Sequence, residues 1–113
     1  MNIEDRIKSL GSLHDTIITS IIWSAEKRRL IIEINDLNTN TDGLPEYPGP
    51  MRGTFVFSEV TVLELTVDLA VDGLMVYDWT MSRKGPDTQS TSISLSPGGQ
   101  MIIDCLSVEI AGY

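Results

Sequence analysis

The chain has 113 residues, the size of one domain, so a single compact core is expected. Hydrophobic residues make up 42% and charged residues 21%, which excludes a disordered or collagen-like chain. Eight Lys plus Arg against 16 Asp plus Glu give a formal charge of −8; such a surface repels phosphate backbones and anionic lipid, so neither nucleic acid nor a membrane is an expected partner.

In chain order, the first predicted element is a short helix. Asn2 caps it, Ile3, Ile7 and Leu10 fall on one face, and Gly11 supplies a left-handed exit. From Thr16 to Asp36 the hydrophobic period changes to two, the signature of strands. A four-residue turn over Ala25 to Arg28 then pairs Trp23 with Leu30 and Ile21 with Ile32, giving a hairpin with one apolar face. Residues 37 to 51 are dense in Pro, Gly and Asn and fit no period; a loop of this length is commonly functional.

Arg52 to Phe57 reads as the next strand, followed by one in which Leu63, Leu65, Val67 and Leu69 alternate with polar residues. A three-residue loop over Val71, Asp72 and Gly73 returns this strand as a hairpin, pairing Leu69 with Met75, Val67 with Tyr77 and Leu65 with Trp79. That register puts Trp23, Tyr77 and Trp79 on apolar core faces and leaves Glu64, Thr66, Asp68, Val76, Asp78 and Thr80 outside. After a polar loop at Arg83 to Gln89, a last hairpin runs Ser90 to Ser96, turns at Pro97-Gly98-Gly99 and returns from Gln100 to Ala111. The apolar parity of the return strand shifts after Cys105, which predicts a bulge there. The expected fold is mainly β: an antiparallel sheet or sandwich of about seven strands with one short N-terminal helix, in one domain over 1–113.

The lone Cys105 has neither a second Cys nor a nearby His, and reads as a buried thiol. No run of 18 apolar residues is present, and acidic Glu4 and Asp5 stand where a secretory signal needs positive charge, so the cytoplasm is the expected location. His14-Asp15 is the one imidazole beside a carboxylate, but no nucleophile motif accompanies it; it reads as a structural pair at the entry to the first strand. Asp36, Asn38, Asn40 and Asp42, followed by Gly43, place oxygen atoms at alternate positions as cation loops do. Thr41 and Tyr47 occupy the places where an EF-hand has Gly and Glu, so a turn-rich connection is preferred. Lys27, Arg28 and Arg29 sit at a predicted turn and read as solvated.

Charge is unevenly distributed: residues 37–82 hold seven acids against one base. Glu64, Asp68, Asp72 and Asp78 cluster on or beside the predicted hairpin, a negative patch suited to steering a basic protein partner.

The segment Leu13-His14-Asp15-Thr16-Ile17-Ile18, the Ile-rich hairpin after it and Tyr77-Asp78-Trp79 resemble small bacterial β-rich proteins of mostly unassigned function, some of which look like immunity proteins of contact-dependent or polymorphic toxin systems. The resemblance implies a non-catalytic inhibitor that binds a toxin domain, and carries no catalytic residue onto His14 or Asp15. The expectation is thus a protein-interaction module, of immunity type if the resemblance holds, that binds a basic partner through Glu64, Asp68, Asp72 and Asp78 without cofactor or metal. The alternative is a small-ligand or cation-binding β domain using loop 37–51. Self-association through an exposed strand edge stays open.

Overall fold

The computed structural model describes residues 2–41, 46–67 and 73–112. The chain runs through helix α1 (Ile3–Ser9) and strands β1 (Ile17–Ser24), β2 (Arg29–Ile34), β3 (Gly53–Ser58), β4 (Val62–Val67), β5 (Leu74–Lys84), β6 (Thr88–Ser96), β7 (Gly99–Cys105) and β8 (Ser107–Gly112). Short 3-10 turns lie at Gly11–Leu13 and Thr39–Thr41. The strands form one antiparallel eight-stranded sheet in the order β4-β7-β6-β5-β1-β2-β3-β8.

That sheet folds back on itself as two four-stranded halves, β4-β7-β6-β5 and β1-β2-β3-β8. The halves are joined where β1 meets β5 through Ile17↔Met75 and Ile18↔Leu74. They are joined again at a corner where β3 turns into β4 and its partner β7 turns into β8. Hydrogen bonds from Val60 N to Arg28 O (2.9 Å), Thr61 N to Asp104 O (2.8 Å) and Leu106 N to Ser58 O (3.2 Å) hold that corner. Strands that change sheets at a bend are the usual device of orthogonally packed sandwiches. The predicted bulge after Cys105 is this corner, and splitting the return strand there raises the count to eight.

The inner faces supply the core. Phe55 and Phe57 of β3 meet Trp79 of β5 at ring-centroid distances of 4.5 and 6.5 Å, and all three rings are fully buried beside Leu30, Ile32, Ile93, Met101 and Ile103. Helix α1 begins as expected: the Asn2 side chain accepts from Asp5 N at 2.8 Å. It buries Ile7 and lies against β5, and its Glu4 accepts from Gln89 Nε2 of the neighbouring β6 at 3.3 Å. After Gly11, the non-glycine residues Ser12, Leu13 and Asp15 all have positive φ. Each such residue costs on the order of 1 kcal/mol or more. Complete burial of Leu13 offsets part of that strain.

Two local hairpins match their sequence reading. β1 and β2 pair Trp23 with Leu30 and Ile21 with Ile32, and β6 turns into β7 through Pro97 and Gly98. The hairpin expected between β4 and β5 does not form. β4 pairs with β7, aligning Leu65 with Met101 and Val67 with Gly99, and β5 pairs with β6 and β1. β4 thus becomes an edge strand with β7 and β6 between it and β5, a Greek-key arrangement. The predicted residues of the connecting loop, Val71 and Asp72, lie outside the described residues, as do Asp68 and Leu69.

A second correction follows from an irregularity in β5. The register with β6 shifts between Val76 and Asp78, so one extra residue reverses the parity. Val76, assigned to the outer face, is buried, whereas Tyr77, assigned to the core, is 62% exposed. Trp23 keeps its predicted partner but is 43% exposed, because it sits at the end of β1 beyond its contact with β5. Of the three aromatics assigned to the core, only Trp79 belongs wholly to it.

Candidate functional site

His14 and Asp15 fasten the chain to the bulge in β5. His14 Nδ1 donates to the Tyr77 carbonyl, its ring meets the Tyr77 ring edge-on at 5.5 Å, and its Nε2 lies 3.4 Å from Asp15 Oδ1. The Asp15 N–H donates to Val76 O and the Val76 N–H to Thr16 O, both at 2.8 Å. These contacts stitch the entry to β1 onto the one irregular place in β5, and Tyr77 is the residue they hold outside.

The oxygen-rich segment after β2 is engaged in closing its own loop. Asp36 is buried; its Oδ1 accepts from Asn38 N (2.8 Å) and Met51 N (3.0 Å), and its Oδ2 from Tyr47 Oη (2.7 Å). Asn38 Nδ2 donates to Gly49 O at 3.0 Å. Asn40 Nδ2 donates to Leu10 O at 2.9 Å, satisfying a carbonyl at the end of α1. Leu37 folds over the paired glycines Gly53 and Gly112, where a Cβ would come within 2.7 and 3.0 Å of its side chain. Asp42 and Gly43 lie outside the described residues. No group of three or more His, Cys, Asp or Glu side chains converges as a metal site among the described residues.

Two of the carboxylates expected to steer a partner, Glu64 and Asp78, lie on the outer face of the β4-β7-β6-β5 half. Cross-strand partners point to the same side of a sheet, so the register defines that face row by row. One row is Glu64, Ile102, Ser92 and Thr80; the next is Thr66, Gln100, Ser94 and Asp78. Glu64 and Asp78 therefore share a face, as expected, but stand on the order of 15 Å apart across two intervening strands. Between them β7 contributes Ile102 and Gln100 and β6 a run of short hydroxyls, with Ser90, Ser92, Ser94 and Ser96 alternating along it. Asp68 and Asp72, assigned to the same patch, lie outside the described residues.

One carboxylate the sequence reading missed completes this face. Asp104 is nearly fully buried on the outer side of β7, where Lys84 Nζ donates to its Oδ2 at 3.0 Å. The Ser90 hydroxyl, its cross-strand neighbour, and the Lys84 ammonium hold its pKa below the ordinary value of 3.8, against the opposing effect of burial. A lowered folded-state pKa adds stability above the ordinary value, and that stability is lost as pH falls through the folded-state pKa. Asp104→Asn should therefore lower the urea midpoint at neutral pH, and the difference from the parent should narrow as pH falls below 3.8, read by urea titrations across that range. A pH-independent difference would contradict this account. The neighbouring Cys105 is buried with its Sγ 3.4 Å from Ser107 O, and burial pushes its pKa up to about 11, which suppresses the reactive thiolate.

A second surface feature lies at the open side of the sandwich, where Trp23, Arg28, Val60, Thr61 and Leu63 line a cleft. Leu65 is 45% exposed two residues along β4 from Leu63, on the same side of the strand. The sequence pattern assigned Trp23, Leu63 and Leu65 to the core because alternation identifies the inner face but not where the opposite half stops covering it.

The architecture defines a class: an all-antiparallel β protein with a curled eight-stranded sheet and an N-terminal helix. No helix among the described residues is long and apolar enough to cross a membrane. No family model matches the chain, and no curated protein matches it in sequence. The fold is similar to the crystal structure of an uncharacterized protein from Neisseria gonorrhoeae, with a TM-score of 0.59 and 15% identity over 86% of this chain and 90% of that one.

Proposed function

We propose that this protein is a non-catalytic protein-interaction module that docks a basic partner on the outer face of the β4-β7-β6-β5 half and acts by occlusion, as an immunity-type inhibitor would. The observation that carries the reading is the charge and relief of that face. Glu64 and Asp78 bracket Ile102, Gln100 and a run of Ser and Thr side chains, and the Lys84 ammonium is paired with Asp104. Short hydroxyl side chains lose little conformational entropy on docking and adapt their hydrogen bonding to a partner. The carboxylates would accelerate encounter with a basic surface.

The test is co-purification from the native cell at low salt, followed by binding kinetics of the recovered partner. The double variant Glu64→Lys with Asp78→Lys should slow association about tenfold or more and abolish its acceleration at low salt. Recovery of no specific partner, or of one indifferent to both substitutions, would overturn the reading.

A further inference from the structure

From the free edge of β4 we infer that the partner contributes an extended segment, alternating apolar and basic residues, which adds to the sheet as a strand beside Val62–Val67. This rests on the basic-partner reading above and deepens it by naming the segment and the edge.

Among the described residues, β4 pairs with β7 alone, so its other side presents unpaired backbone N–H and C=O groups. Natural edges of this kind are usually guarded by Pro, Lys, a bulge or an inward-pointing charge. β4 has none of these: its sequence is Val-Leu-Glu-Leu-Thr-Val, and its register with β7 runs uninterrupted from Val62↔Asp104 to Val67↔Gly99. It also exposes apolar area, with Val62 39% and Leu65 45% accessible. Leu63 and Val67 of β4 pack against the core, as do Val108 and Ile110 of the other terminal strand, β8, so what sets β4 apart is the exposed inward-facing Leu65 between them.

The chemistry of the added strand follows from the two faces of the pleat. On the inner face, Leu65 ends a row that continues through Met101, Ile93 and Trp79, all three fully buried. An apolar side chain placed opposite Leu65 would extend that row and cover it. On the outer face β4 presents Glu64 between Val62 and Thr66, and opposite-charge cross-strand pairs are favourable. The sequence from Gly53 to Ser82 contains five acids and no Lys or Arg, and the two cations nearest the edge are set aside from its outer face, Arg28 in the cleft beside Leu63 and Lys84 in its pair with Asp104, so a cationic segment is favoured opposite Glu64. A second copy of the chain would bring its own β4, with Glu64 and no base, to the same edge.

The experiment uses the full chain and three synthetic hexapeptides: Lys-Val-Lys-Val-Lys-Val, the blocked order Lys-Lys-Lys-Val-Val-Val, and Glu-Val-Glu-Val-Glu-Val. Amide exchange and chemical shifts are followed by NMR. The alternating basic peptide should slow exchange of outward-facing β4 amides at least tenfold and bind about tenfold more weakly to Glu64→Lys and to Leu65→Lys. Both substituted side chains are exposed, and an unchanged circular dichroism spectrum would show that each variant is folded.

If the blocked peptide binds equally well without protecting β4, strand addition is overturned while basic docking on the sheet face survives. Equal binding of the acidic peptide overturns the cationic chemistry of both readings. Absence of binding by the alternating peptide, or β4 protection that grows with protein concentration in its absence, overturns the assignment of this edge to a partner.

Discussion

Trp79→Ala is expected to destabilise the protein by about 3–5 kcal/mol, a large share of the roughly 5–15 kcal/mol that holds a domain of this size together. Trp79 is fully buried and joins the two halves: it stands on β5, yet its ring packs against Phe55 and Phe57 of β3 at 4.5 and 6.5 Å. Removing it takes apolar area from both inner faces and leaves a cavity that neighbours anchored in separate strands cannot readily fill. Its indole Nε1 is buried without a hydrogen-bond partner, so Trp79→Phe removes an unsatisfied donor while keeping a ring against Phe55. The phenylalanine variant should therefore lose much less than the alanine variant. Urea denaturation of both checks this, and equal losses would show that ring packing between the halves is not the source.

Asp36→Ala should destabilise the protein by about 2–4 kcal/mol, with the damage concentrated in the connection between β2 and β3. Its carboxylate collects Asn38 N, Met51 N and Tyr47 Oη, bringing together residues as far as 15 positions apart. Hydrogen bonds to a charged group contribute about 1.5–3 kcal/mol each, but the donors freed by the substitution regain water, so the net loss is below the sum. Tyr47→Phe removes one donor and should cost about 1 kcal/mol. The readouts are the urea midpoint and amide exchange at Asn38 and Met51. An alanine variant with parental exchange at both amides would show that the loop closes without this carboxylate.

What was legible in the sequence divides by the range of the interaction. The β1–β2 register was legible because a short turn and alternating Ile residues specify it locally, as was the helix start at Asn2. The partner of β4 was not. Alternation says that Leu65 faces inward, and an apolar residue opposite it satisfies the pattern whether that residue is Trp79 or Met101. Both stand in the same row, separated by Ile93, so local reasoning found the row and omitted the strands between. Tyr77 was hidden for a related reason: Met75, Tyr77 and Trp79 alternate without fault, and the bulge that turns Tyr77 outward is held by His14 from 63 residues away. For the candidate site, the shared face of Glu64 and Asp78 was readable and their separation was not, because separation depends on strand order.

The bent ribbon at Ser58 and Leu106 also bears on how the protein is made. The edge of β3 receives its partner only when residues 107–112 exist, after all four strands of the other half have been synthesised. Until then the edge of β3 is unpaired, and before β5 supplies Trp79 the β1-β2-β3 meander also carries Phe55 and Phe57 on an uncovered face, the condition in which nascent chains stick to one another or engage chaperones. Completion of the β1-β2-β3-β8 half is thus deferred to the synthesis of residues 107–112, although its other three strands lie in the first half of the described chain.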